Sequence, residues 1–132
     1  MTNLTSISND SLHAETLQAA ADEKAATLIL LEHLAEIDRR RLYAMRGFSS
    51  LWEYIQKELG YSESQAFERV SAMRLIVRVP EVKEELRAGK LTLTTTAKLG
   101  AHARREKLVP QDTVALLQEV VGKSSWEVER VL

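Results

Sequence analysis

LWEYIQKELGYSESQAFERVSAMRLI, residues Leu51–Ile76, is the stretch on which the fold turns. A helical run closes at Leu59-Gly60, where glycine supplies the left-handed turn that ends helices. Ser62-Glu-Ser-Gln65 then has the form of a capping box, in which hydroxyl and amide side chains satisfy free backbone N–H groups at a helix start. Ala66, Val70, Met73 and Val77 follow at the spacing of one apolar stripe. Ile55, Leu59, Tyr61 and Ala66 fall where the two helices must meet. The segment thus has the layout of a helix-turn-helix over residues 49–78.

Upstream, no Pro or Gly interrupts Ser11 to Met45. Leu17, Ala20, Leu28, Leu31, Ala35 and Leu42 recur there at helical spacing beside Leu34 and Ile37. The spacing predicts one long helix over 11–45, or two with a bend. Gly47 ends it, and Ser50-Leu-Trp-Glu53 is another capping box. Residues 1–10, rich in Ser, Thr and Asn, are expected to form a disordered arm. Downstream, Pro80 stops the central helix and starts a short one that Gly89 closes. Thr92 caps a helix carrying Leu93, Ala97 and Ala101 inward, Pro110 opens the next, and Ser124-Ser-Trp-Glu127 caps the last. Alternation of period two is confined to Lys90–Thr95, where a loop and cap suffice. The expected architecture is all-α, with six to eight helices in a single helical domain over 11–132, of which 80–132 is the C-terminal part.

The bulk properties exclude several function classes. A chain of 132 residues with 45% apolar content can bury a core. It has no cysteine, which removes disulfides, thiolate metal sites and cysteine nucleophiles. No apolar run approaches the roughly 20 residues of a membrane span, and the N-terminus lacks a basic start followed by an apolar core. A cytoplasmic protein without a membrane partner is expected. The charge is lopsided: residues 1–38 hold seven acids against Lys24 alone, whereas residues 39–132 hold 17 bases against 12 acids. The basic excess coincides with the helical core.

On the Ser62–Arg74 helix the outward set is Ser64, Gln65, Glu68, Arg69, Ser71 and Arg74, able to reach base edges and phosphates. Glu63 and Glu68 oppose phosphate. Arg39, Arg40, Arg41 and Arg46 offer forked donors to a phosphate backbone, although consecutive helical residues point about 100° apart and at least one should pair with Glu36 or Asp38. Arg104 and Arg105, with Lys98 and Lys107, lie near a helix end, where the helix dipole explains them best. Phe48, Trp52, Tyr54 and Trp126 are spaced as core or staple residues. His13, His33 and His102 show no metal-ligand spacing, and Ser49 and Ser50 serve as caps rather than nucleophiles. No catalytic constellation can be assembled, so no enzyme activity and no cofactor are expected. The nucleic-acid set is therefore Arg39, Arg40, Arg41, Arg46, Ser64, Gln65, Arg69 and Arg74. An alternative is an interaction module, with Leu28, Leu31 and Ala35 forming a homodimer interface along the long helix.

The stretches Glu36-Ile-Asp-Arg-Arg-Arg-Leu-Tyr43, Gly47-Phe-Ser-Ser-Leu-Trp-Glu-Tyr54, Tyr61-Ser-Glu-Ser-Gln-Ala66, Ala72-Met-Arg-Leu75, Pro80-Glu-Val82, Gly89-Lys-Leu-Thr-Leu93 and Lys123-Ser-Ser-Trp-Glu-Val-Glu129 carry a resemblance. Together, over residues 28–132, they resemble the helical N-terminal region of a bacterial family of HNH endonucleases. In that family the region precedes the nuclease domain. The resemblance implies a targeting or DNA-binding role, with any nuclease supplied in trans, since no His-rich ββα pattern follows. Tyr61–Leu75 with Pro80–Leu93 is also similar to the helix-turn-helix stretch of ParB-type partition proteins, which implies DNA as the partner.

Overall fold

In the computed structural model, which describes residues 3–132, the capping box at Ser62 forms in full. The Ser62 hydroxyl accepts from the Gln65 amide at 3.2 Å, and the Ser62 amide donates to Gln65 Oε1 at 2.9 Å. Among the described residues there are eight α-helices and no strand. They are α1 (Asn9–Arg40), α2 (Leu42–Met45), α3 (Leu51–Glu53), α4 (Glu63–Arg78), α5 (Val82–Arg87), α6 (Leu93–Arg105), α7 (Pro110–Val120) and α8 (Ser125–Val131). A π-helical turn, Tyr54–Glu58, continues α3 to the Gly60 turn.

The centre of the molecule is α4. Ala66, Val70 and Met73 are buried as their spacing requires, but so are Ser71, Ala72, Leu75 and Ile76, because α1 and α6 cover different flanks of this helix. Val77, expected in the stripe, is 61% exposed: it lies past the covered flanks, at the rim of a cavity. Leu59 is likewise exposed, whereas Ile55 and Ala66 are fully buried.

Helix α6 runs parallel to α4. Thr94 Oγ1 donates to Glu68 at 2.8 Å, Gly100 lies against the Ser71 carbonyl, and Arg78 Nη2 donates to the Leu108 carbonyl at 2.9 Å. A Cβ at Gly100 would stand 2.7 Å from that carbonyl oxygen. At its start, α6 is capped reciprocally by Thr92 and Thr95, and the buried Thr95 and Thr96 hydroxyls donate to the Thr92 carbonyl, so their burial leaves no donor unmet.

Helix α1 starts at Asn9 under a Ser8 cap and stops at Arg41, whose φ of 54° is left-handed. The continuous helix over 11–45 is therefore two helices with a bend, because a left-handed residue cannot propagate an α-helix. The N-terminal arm is also shorter than expected. Leu4–Ser6 form a 3-10 turn beginning at the Asn3 cap, and Asn9 and Asp10 belong to α1; Met1 and Thr2 lie outside the described residues. Leu28, Leu31 and Leu34 of α1 are at most 3% exposed and join the core, with Ala35 half-buried against it. This corrects the expected dimer interface at Leu28, Leu31 and Ala35, since side chains consumed by the chain's own core cannot meet a second copy. Asn9 to Ala26 are all exposed, Leu17 by 60%.

Leu99 of α6 and, from the remaining helices, Leu51, Val82, Leu86, Leu117, Val120 and Val128 close the core. Trp126, expected inside, is 64% exposed with the Arg130 guanidinium 4.9 Å from its ring centroid, because Val128 takes the inward position of α8.

Replacing Gly100 by Ala should lower stability. Relief of glycine's helix cost is worth about 1 kcal/mol, against an overpacking cost of about 1–3 kcal/mol where the opposing atom is backbone. The expected result is a lower urea midpoint at unchanged slope; a raised midpoint would show that α6 can move away from α4 freely. Leu28→Asp should unfold the chain rather than dissociate a dimer, which far-UV circular dichroism reads directly.

Candidate nucleic-acid interface

The parallel arrangement gathers the C-terminal ends of α1, α4 and α6 at one end of the molecule. Asp38 of α1, Arg74 and Arg78 of α4, and Arg104 of α6 line a cavity of about 240 Å³ there, floored by Met73, Leu75 and Ala103. Arg74 and Arg78 are one turn apart on the same face of α4. Two of the guanidinium groups are held in place. Arg74 lies 4.8 Å from the Trp52 ring centroid, and Arg78 donates to the Leu108 carbonyl. Arg104 is pushed below the usual arginine range by burial and by the positive charge of Arg74. Among the described residues, no carboxylate forms an ion pair with Arg74, Arg78 or Arg104, and Asp38 forms none with any base.

The arginine run that ends α1 behaves differently. Glu36 bridges Arg39 at 2.5 Å and Arg40 at 2.6 Å. Hydrogen bonds from these two arginines pull the Glu36 carboxyl down from 4.5 to about 2. The pairing is solvent-exposed and therefore weak. Arg41, in the left-handed position after α1, and Arg46, after α2, are exposed and outside any ion pair among the described residues.

The expected outward face of α4 is dispersed. Ser64 and Gln65 are exposed at its first turn, where Gln65 is occupied as a cap. Arg69 is folded over the Tyr61 ring at 4.1 Å and donates to the Gln65 carbonyl. Glu68 accepts from Thr94, and Ser71 is buried beneath Gly100. Ser71 is thus corrected from a contact residue to part of the α4–α6 interface, since glycine lets the α6 backbone close over it. Ser64 and Arg74 are ten residues apart, about 15 Å along the axis, with the α6 contact between them. The α4 set is therefore two separate ends, not one reading face.

The second basic cluster also divides. Lys98 pairs with Glu129, and Arg105 turns to a different cavity, beside Phe67 and Leu132, leaving Arg104 at the basic end. Arg104 occupies the last turn of α6, so the helix dipole acts on it as expected. Sequence reasoning missed Arg78 as a site residue and Trp52 as the platform for Arg74. Arg78 was accessible through its four-residue spacing from Arg74; the Trp52 contact, across the Gly60 turn, had no local sign. Among the described residues, no group of three His, Asp or Glu side chains is placed to hold a metal ion.

No protein-family model, curated protein or solved structure matches the chain.

The Glu36 carboxyl should titrate near pH 2 in the folded protein. Its charged form is favoured, so its contribution to stability is in place above its ordinary value of 4.5 and is lost as pH falls through about 2. In a variant with Arg39 and Arg40 both changed to Ala, carbon-detected NMR should find the midpoint back in the ordinary carboxylate range. An unmoved midpoint would assign the depression to another cause.

Proposed function

We propose that this chain is a non-catalytic nucleic-acid-binding module that holds the phosphate backbone with the end where α1, α4 and α6 finish. The observation that carries this reading is the convergence of Arg74, Arg78 and Arg104 on one cavity without a carboxylate in ion-pair contact. Arginine forks suit phosphate oxygens, and Arg41 and Arg46 extend the supply of exposed donors. The resemblance to the helical region that precedes the nuclease in HNH endonucleases favours the same role. The dispersed α4 face favours backbone contact over base reading, with Ser64 exposed at the first turn and Gln65 engaged there as a cap.

Anisotropy of labelled random duplex DNA at several salt concentrations tests the proposal. Engagement of three to five phosphates would give a log–log slope of about −2.7 to −4.5. Changing Arg74, Arg78 and Arg104 together to Ala should weaken binding at least roughly tenfold and flatten the slope by about 2–3. Equal binding by the triple variant, or no binding by the parent chain at low salt, would overturn it.

A second reading, a protein-interaction module, is favoured by the exposed N-terminal half of α1. Ala14, Leu17 and Ala21, at spacings of three and four residues, form a small apolar strip with no cover from the chain itself. Sedimentation should show association that a Leu17→Asp variant loses without loss of thermal stability. A parent chain that stays monomeric at all concentrations would rule out self-association through this strip.

A further inference from the structure

We propose that the cavity bounded by Asp38, Arg74, Arg78 and Arg104 is a discrete seat for one phosphate monoester dianion, such as a free phosphate or the terminal phosphate of a nucleic-acid strand. The inference rests on the nucleic-acid reading for the strand-end source and deepens it by naming the group that is held.

Charge balance comes first. Three guanidinium groups against one carboxylate leave an excess of two positive charges at the cavity. An internal phosphodiester carries one negative charge, whereas a monoester carries about −1.5 to −2 at pH 7. The carbonyl ends of α1, α4 and α6 each subtract about half a charge, and Arg39 and Arg40 against Glu36 at the end of α1, with Arg105 and Lys107 at the end of α6, offset them. The monoester is the closer match.

Geometry agrees. Arg74 and Arg78 line it from α4 and Arg104 from α6, so two helices contribute arginines to one concavity. A terminal phosphate can enter end-on, whereas a diester must bring a sugar on either side. Stacking on Trp52 and the hydrogen bond to Leu108 hold two of the three arginines before any ligand arrives, so little side-chain freedom is lost on binding. The floor of Met73, Leu75 and Ala103 keeps water from one side of the site and strengthens attraction within it. Burial lowers the Arg104 guanidinium below the usual arginine range, and the positive charge of Arg74 beside it lowers it further. A helix-dipole role explains Arg104 at the end of α6, but it does not bring Arg74 and Arg78 to the same cavity.

Two measurements on the full chain test the seat. In the first, arginine Nε–H signals are followed by NMR during titration with inorganic phosphate at low salt. Signals of Arg74, Arg78 and Arg104 should shift together and saturably, and Arg104→Lys, which keeps the charge but loses the fork, should weaken the effect roughly tenfold. In the second, a short 5′-phosphorylated oligonucleotide is compared with its 5′-hydroxyl counterpart. The phosphorylated form should bind roughly tenfold tighter to the parent chain and equally to an Arg78→Ala variant whose circular dichroism matches the parent's.

Phosphate-induced shifts without 5′ discrimination would support the seat and assign it to free phosphate. Shifts without any binding of duplex DNA would overturn the nucleic-acid reading and leave the seat standing. Absence of both shifts and discrimination, with duplex DNA still bound, would overturn the seat alone.

Discussion

Gly100 has room for a hydrogen atom and nothing larger, because the Ser71 carbonyl lies where a Cβ would go. This contact sets the distance between α4 and α6, and the geometry of the basic end depends on it. With α6 drawn against α4 and running parallel, Arg104 comes level with the Arg74–Arg78 turn. A parallel pair needs a long return connection, and residues 79–92 provide it. Pro80 cannot continue α4, α5 covers part of the core through Val82 and Leu86, and Gly89 makes the final turn with φ +76°. Gly100 thus lines the cavity and sets its width, while Ser71 acts on it only through that contact.

Parallel packing also aligns helix dipoles, which is unfavourable unless charges at the ends compensate. The C-terminal ends of α1, α4 and α6 each bear roughly half a negative charge. Arg39 and Arg40, Arg78, and Arg104 with Arg105 occupy the corresponding last turns. Some of the basic excess is therefore structural. What exceeds that need is the inward-facing member one turn earlier, Arg74, which has Trp52 beneath it instead of a carboxylate beside it. A cation on an aromatic face retains free N–H donors, which an ion pair would have used. That distinction separates Arg74 from Arg39 and Arg40, whose donors are engaged by Glu36.

Features governed by neighbours in sequence were legible before the structure. Ser50, Ser62 and Ser124 cap the helices that follow them, and Gly47, Gly60, Gly89 and Gly122 all adopt positive φ at the turns they mark. Each depends on a few residues of local chemistry. The burial of Ser71 and the exposure of Val77 were not legible, because each depends on where α6 crosses α4. Leu28 and Leu31 illustrate a related ambiguity: an apolar stripe shows that something covers a helix, but not whether the cover is the same chain or another. Of the candidate site, Arg74 was readable from its place on α4. Its joining with Arg78 and Arg104 required the register of two helices separated by the α5 connection. Arg41 was readable as a charge but not as the residue at which the long helix breaks.

The exposed half of α1 follows from the same anchoring. A free 18-residue helix would bear the cost of nucleation, but Asn9–Ala26 extends from turns already fixed by Leu28, Leu31 and Leu34, so each further residue adds only propagation. Ala14, Ala19, Ala20, Ala21, Ala25 and Ala26 favour that propagation, and the Ser8 cap and Asp10 suit the positive end of the helix dipole. The segment bears Asp10, Glu15, Asp22 and Glu23 against Lys24, while the arginines concentrate beyond the other end of the same helix. A polyanion that approaches the basic end therefore meets repulsion from the free half of α1. That half is about 27 Å long, so the acidic stretch and the arginines stand at opposite ends of one helix. On the proposed reading, its strip of Ala14, Leu17 and Ala21 stays clear of the arginine end and open to a protein partner.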